Sequence, residues 1–227
     1  MTDEAEAIVF GVDDDPSVGG ALEGLLRSVG LKAQSFTSTE EFRQSTRPDA
    51  PSCLVLDIRM PGQSGLEFQR ELAASGEAIP IIFITGHGDI AMSVQAMKAG
   101  AIEFLTKPFR DQDLIDAIHL GLDKSRAWRQ QSAVTAEIEK RHGTLTPGEK
   151  DTMALIVSGL ITREIAARLE VSEITIKVRR SHIMRKMQAA SLPELVRMAD
   201  RLNQQAEDGL ALVTAGPATA EDKQQPI

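Results

Sequence analysis

The sequence predicts an α/β protein with a second, all-helical part: a five-stranded doubly wound parallel (βα)5 sheet, one long helix, then a four-helix domain. Three observations carry this. Five short apolar runs alternate with amphipathic stretches over the first 121 residues. Helix-compatible residues then continue without a proline between Pro108 and Pro147. The stretch beyond reads as helix throughout, and its charge has the opposite sign to the first part.

The apolar runs fall at 7–12, 31–36, 53–56, 81–84 and 102–105. A parallel strand covered on both faces shows no polar alternation, and Ile81-Ile82-Phe83-Ile84 is such a run. Helical periodicity occupies 18–29, 39–44, 65–74, 90–99 and 114–122. Gly19-Gly20 interrupts the first of these, where each Gly costs up to ~1 kcal/mol relative to Ala. From 114 the pattern runs on through Trp128 to about Lys140, with His142-Gly143 as its stop. This long helix is compatible with a coiled dimer seam or a rigid spacer, and Trp128 is expected to cover apolar surface.

Thr146, with Pro147 at the first helical position and Glu149 three residues after the cap, forms a capping box. A short amphipathic helix follows at 162–169, then one at 173–187, then one capped by Ser191. Residues 203–227 are rich in Ala, Gln, Pro and acids and are expected to be disordered. The expected division is 1–121, 122–144 (linker helix), 145–202 and 203–227.

Composition narrows the function classes. The chain has 227 residues, 42% of them hydrophobic, and a net charge of −8. Cys53 is the single cysteine, which excludes an internal disulfide and a Cys-rich zinc site and fits a reducing cytoplasm. No apolar run approaches the ~20 residues of a membrane span. The first seven residues hold three acids and no base, unlike a signal peptide. Tyr is absent and Trp128 is the only Trp, which argues against stacking on single-stranded nucleic acid. Net charge is −10 over 1–121, +2 over 122–144, +3 over 145–202 and −3 over 203–227. The acidic total thus conceals a basic module with a partner of its own.

In open α/β sheets, function collects beyond the carboxyl ends of the strands. Those ends carry Asp13, Asp14 and Asp15; Asp57; Thr85 and Gly86; and Lys107-Pro108. Clustered carboxylates repel one another unless a cation joins them. A hard-oxygen set with open positions suits Mg²⁺ (or Mn²⁺) beside a phosphate. A carboxylate can attack a phosphoryl group, with the metal and Lys107 neutralising its oxygens and Thr85 hydrogen-bonding to it. Strand-end Asp is also ordinary turn and cap chemistry, so each residue taken singly has a structural reading.

Val12-Asp13-Asp14-Asp15, Leu54-Val55-Leu56-Asp57-Ile58-Arg59-Met60-Pro61-Gly62, Phe83-Ile84-Thr85-Gly86 and Phe104-Leu105-Thr106-Lys107-Pro108-Phe109 resemble the receiver domain of two-component response regulators over residues 7–121. The resemblance implies Asp57 as phosphoryl acceptor from a sensor histidine kinase. It implies a metal held by Asp14, Asp57 and the Arg59 carbonyl, with Asp13 on a metal-bound water. Thr85 and Lys107 would contact the phosphoryl oxygens, and the Lys107–Pro108 bond would be cis. Thr85 and Phe104 would form the switch pair, Phe104 lacking the hydroxyl of the Tyr that many relatives carry. The first helix would dock the kinase. Arg59 and His87 flank the site, where side chains tune acyl-phosphate lifetime or are simply solvated.

In the helical part, the 173–187 helix carries Lys177, Arg179, Arg180, Arg185 and Lys186. Apolar Ile176, Ile183, Met184 and Met187 approximate one face, and Lys177, Arg180 and Ser181 share another. A basic helix after a short helix and a tight turn reads as helix-turn-helix, its second helix bound for a major groove of double-stranded DNA. The stretches 145–149, 159–169 and 171–178 are similar to a LuxR-type helix-turn-helix, so the chain resembles the FixJ/NarL family, on its FixJ-like branch. That implies Lys177 and Val178 at base edges with Arg180 and Ser181 close by, and Thr175, Arg179 and Arg163 at phosphate or packing positions.

The implied function is a cytoplasmic transcription factor that dimerises and binds DNA when phosphorylated, with RNA polymerase as a further partner and no membrane. Enzyme activity would be limited to self-phosphorylation and slow self-dephosphorylation. An aspartyl-phosphate phosphatase would need a second Asp two residues after Asp57, where Arg59 stands. A constitutive DNA binder with an idle first domain is disfavoured by the intact acidic set.

Overall fold

The computed structural model describes residues 6–86 and 90–214, with residues 205–214 described by backbone alone. The elements are β1 (Ile8–Val12), α1 (Pro16–Ser28), β2 (Lys32–Phe36), α2 (Thr39–Gln44), β3 (Ser52–Asp57), α3 (Gly65–Ala74), β4 (Ile81–Thr85), α4 (Ile90–Lys98), β5 (Glu103–Thr106), α5 (Asp111–Gly143), α6 (Pro147–Val157), α7 (Thr162–Arg168), α8 (Glu173–Met187) and α9 (Leu192–Thr214). They form two compact units, 1–130 and 131–227.

The first unit is a five-stranded parallel sheet in the order β2-β1-β3-β4-β5. Successive strand residues point to opposite faces. Phe10, Leu54, Leu56 and Phe83 therefore share one core with Phe42, Phe68, Leu72 and Ala96 of α2, α3 and α4. Val9, Val55, Ile82 and Ile84 share the other with Leu22 and Leu26 of α1 and Leu114, Ile118 and Leu122 of α5. The doubly wound sheet is as the apolar runs predict.

Gly19 has a use within the fold. A Cβ there would stand 3.0 Å from the Cβ of Ser35. Ser35 Oγ donates to the Gly19 carbonyl at 3.1 Å, so the missing side chain lets α1 lie against β2. Gly20 is exposed.

Gly65 is under a tighter constraint, at the start of α3. A Cβ would meet the Asp57 carbonyl oxygen at 2.3 Å and the Ile58 Cα at 3.1 Å, both backbone. Gly65→Ala must push α3 away from the end of β3. We expect it to cost about 1–3 kcal/mol, the range for overpacking, measured as a shift in urea midpoint. An unchanged midpoint would refute the packing argument.

The expected 122–144 linker is not a separate element. Helix α5 continues across it, and its two ends serve different units. Leu122 is buried in the first unit, Ser125 Oγ accepts from Ser52 N–H at 3.0 Å, and Arg129 pairs with Asp49 at 2.7 Å. Trp128 is half-buried and lines a surface cavity with Leu72, Ile79 and Ile81. Ile138 is buried in the core of the second unit with Leu145, Met153, Ile156, Ile165, Ile176, Ile183, Met187 and Leu195.

The capping box at Thr146 and Glu149 is present. Glu149, itself buried, is also the hub of a polar cluster. It accepts from Lys186 Nζ at 2.6 Å and from Thr146 N–H at 2.8 Å, and His182 Nδ1 lies 3.5 Å away. The Lys186 bond, helped by the Thr146 N–H, holds its carboxyl down to about 2 from an ordinary 4.5. A depressed folded value stabilises the fold above the unfolded one and is lost as pH falls. The second unit should therefore weaken as pH drops from about 4.5 towards 2. Glu149→Gln should flatten that dependence, followed by the Ile183 methyl resonance during urea titrations. An equally steep profile in Glu149→Gln would assign the acid sensitivity elsewhere.

The expectation of disorder from residue 203 is corrected: α9 runs to Thr214. Helix nucleation is costly and propagation cheap. Gln204, Gln205, Ala206 and Glu207 are adequate helix formers, and no proline stands before Pro217. Residues 215–227 of the expected tail lie outside the described residues.

Candidate functional site

The sheet order reverses direction between β1 and β3, which opens a crevice at their carboxyl ends. Asp57 is the last residue of β3, and Asp13 and Asp14 follow β1 directly. One carboxylate oxygen from each of Asp13, Asp14 and Asp57 lies within 4.8 Å of the other two. Asp13 and Asp57 are each 7% exposed, whereas Asp14 is open to solvent.

The three consecutive aspartates divide their work. Asp15 caps α1, accepting from Ser17 N–H at 2.9 Å and from the Ser17 hydroxyl. The capping alternative thus holds for Asp15 and not for its neighbours. Asp13 accepts from Lys107 Nζ at 2.7 Å through Oδ2 and from Asp15 N–H at 3.0 Å through Oδ1. Lys107 reaches the crevice from the end of β5, where its N–H donates to the Thr85 carbonyl at 2.8 Å. The Lys107–Pro108 bond is cis.

Asp57 Oδ1 is buried and meets no hydrogen-bond donor. Burial raises its carboxyl above the ordinary value; Asp13 and Asp14 add to the rise, and Lys107 and the Ile58 N–H oppose it. The ionised form is therefore short of partners, and a hard cation or a phosphoryl group would supply one. Three carboxylates with one side open to solvent fit a divalent cation.

Thr85 is fully buried at the end of β4, whose Ile84 pairs with Asp57. Phe104 pairs with Phe83 and is half-buried against the first core. Arg59 is exposed two residues after Asp57. His87 lies outside the described residues. Sequence reading missed the close approach at Gly65 and the buried Gln69, whose Nε2 donates to the carbonyls of Ala96 in α4 and of Ala99 just after it. A glycine after a capping Ser was the available signal for the first, and a polar residue on an apolar helix face for the second.

In the second unit, Ser172 caps α8 by accepting from Thr175 N–H at 3.1 Å, and their hydroxyls lie 2.9 Å apart. Thr175 is thus part of the cap. Ile176, Ile183 and Met187 are buried, with Met184 half-buried beside them. Lys177, Val178, Arg180, Ser181 and, on α7, Arg163 are exposed. Of the two readings left open for Arg179, the geometry takes packing. Its Nη1 donates to the Gly148 carbonyl at 3.3 Å and to Thr152 Oγ1 at 3.4 Å, tying α8 to α6. These bonds support the packing reading of Arg179, whose side chain stays partly exposed. Among the described residues, no helix is long and apolar enough to cross a membrane.

Two family models match the chain, "Response regulator receiver domain" over residues 9–119 and "Bacterial regulatory proteins, luxR family" over 143–199. The chain is 50% identical to Nodulation protein W of Bradyrhizobium diazoefficiens over 197 residues, 87% of each chain. It is 43% identical to Transcriptional regulatory protein FixJ of Azorhizobium caulinodans, over 83% of this chain and 89% of that one. Among solved structures, the response regulator StyR matches with a TM-score of 0.73 at 46% identity, over 87% of this chain and all of the other. Full-length FixJ from B. japonicum matches at 0.52 and 36% identity, over 87% and 97%. Two successive domains and relatives aligned along most of their length lead to one conclusion: this chain belongs to the FixJ/NarL family of two-component response regulators, transcriptional regulators that join a receiver domain to a LuxR-type helix-turn-helix.

Proposed function

We propose that Asp57 accepts a phosphoryl group from a sensor histidine kinase and that the acyl phosphate drives dimerisation and DNA binding. The observation that carries this is Asp57 Oδ1, buried without a donor beside Asp13, Asp14 and Lys107. A carboxylate oxygen of Asp57 attacks phosphorus; the P–O bond forms as the P–N bond to the kinase imidazole breaks, and the imidazole leaves. Asp14, Asp57 and the Arg59 carbonyl would hold Mg²⁺ (or Mn²⁺), with Asp13 on its water. The ion supplies charge neutralisation to the transferring group. Lys107 adds a second positive charge, and the Thr85 hydroxyl donates to a phosphoryl oxygen. Asp13, already paired to Lys107 at 2.7 Å, positions that ammonium.

Movement of Thr85 towards the phosphoryl group frees space for Phe104 to turn inward, altering the α4–β5–α5 surface on which a second copy docks. Two helix-turn-helix units then meet half-sites about one DNA turn apart. Lys177, Val178, Arg180 and Ser181 face the major groove, and Arg163 meets a phosphate. Cytoplasmic location and contact with RNA polymerase follow from this role. Catalysis of its own is limited to self-phosphorylation and slow self-dephosphorylation.

The test is molar mass by light scattering with and without Mg²⁺ and beryllofluoride, followed by duplex binding. We expect monomer to become dimer. With ~4 phosphates contacted per subunit, the log–log salt slope of the dimer should be about −7. Unchanged mass with the site occupied would remove dimerisation from the scheme.

A further inference from the structure

Helix α8 exposes two large apolar side chains that its core does not use: Ile174, 73% exposed, and Val178, 48% exposed. They stand four residues apart, so they lie one above the other on the helix surface. Lys177 and Ser181, both exposed, continue the same strip, and exposed Arg180 borders it. The buried face of α8, through Ile176, Ile183 and Met187, looks into the domain core. Ile174 sits in the first turn, after the Ser172 cap, and the first turns of a recognition helix are the part that reaches base edges.

A phosphate offers nothing to an isoleucine. The apolar group that a base pair presents in the major groove is the thymine C5-methyl. The surrounding cations select a polyanion, and the two β-branched side chains select what is apolar within it.

We propose that Ile174 and Val178 form an apolar reading pair for thymine methyl groups, so that each operator half-site carries a thymine against Ile174 and one against Val178. This rests on the reading of α8 as the helix that enters the major groove, and it makes Ile174 a specificity-determining residue alongside Lys177 and Val178.

The probe is a duplex selected by the full-length protein, with Mg²⁺ and beryllofluoride, from a random double-stranded pool. Each thymine is then replaced in turn by deoxyuridine, which removes the methyl group alone. Replacement at the contacted thymines should weaken binding about three- to fivefold each, the size expected for one buried methyl group. Ile174→Ala should weaken binding to the thymine probe by a similar factor and lose the thymine–uracil difference at one position while keeping it at the other. Val178→Ala should show the reverse. Both side chains are exposed, and unchanged circular dichroism verifies that the variants fold. Deoxyuridine tolerated at every position, with sequence-selective binding intact, overturns the reading pair and leaves the helix-turn-helix assignment standing. A discrimination that survives Ile174→Ala at every position overturns the role of Ile174. Failure to select any sequence overturns both.

Discussion

Asp57→Asn is expected to reduce phosphoryl incorporation from acetyl phosphate to background while leaving the fold intact. Asn has nearly the volume of Asp, so the end of β3 keeps its packing against Gly65. It lacks the anionic oxygen that attacks phosphorus, and no described acid can replace it: Asp13 is engaged by Lys107 and Asp15 N–H, and Asp14 stands open to solvent. The same substitution removes a charge whose ionisation burial, Asp13 and Asp14 all disfavour, so thermal stability should be unchanged or raised. Mg²⁺ should bind more weakly, and beryllofluoride should no longer change the molar mass. Radiolabel incorporation and a thermal melt check the two halves separately. Stoichiometric label in the Asn variant would move the phosphoacceptor elsewhere. Full regulated activity in that variant would instead favour constitutive DNA binding with the receiver as a partner module.

Phe42→Ala should destabilise the receiver unit by about 3–5 kcal/mol. Phe42 has no exposed surface, and its ring meets Phe10, Phe36 and Phe68 edge-on at 5.5, 5.4 and 5.8 Å. These rings join α2 to β1, β2 and α3, so no single neighbour can collapse into the void without losing another contact. Edge-to-face geometry adds to the area buried. Against a total stability of about 5–15 kcal/mol, the change removes a large fraction. Urea titration followed by Trp128 fluorescence measures it, since Trp128 packs within the same unit. A cost below about 1 kcal/mol would mean that the site relaxes far more than close packing allows. The loss should reach function as well, because Asp13 and Asp14 directly follow β1.

Most of the receiver was legible in the sequence because its signals are local. Apolar runs such as 81–84 and amphipathic stretches such as 65–74 need no knowledge of what they pack against. The acidic site was legible because strand-end residues of a doubly wound sheet converge by topology. What could not be read was the division of labour among Asp13, Asp14 and Asp15. Adjacent in sequence and identical in chemistry, they differ only in what stands opposite: Lys107, solvent and Ser17. Arg179 stayed open between phosphate and packing for the same reason. On a helical projection it is one more cation on a basic helix, and only the position of Gly148 and Thr152 on α6 favours packing.

Helix extent divided along similar lines. The absence of proline from 109 to 146 correctly indicated a long helix, but not that Ser125 and Arg129 would bond to one unit and Ile138 would enter the core of the other. The composition after residue 203 read as disorder, because composition measures the lack of apolar surface and not the low cost of extending a helix already formed. Residue pattern alone thus determined the elements, their order and the chemistry at the strand ends, since periodicity and strand-end position are properties of the chain. Tertiary structure decided which carboxylate is paired, which arginine is engaged and which apolar side chains, Ile174 and Val178 among them, stay exposed, because partners distant in sequence are supplied only by folding.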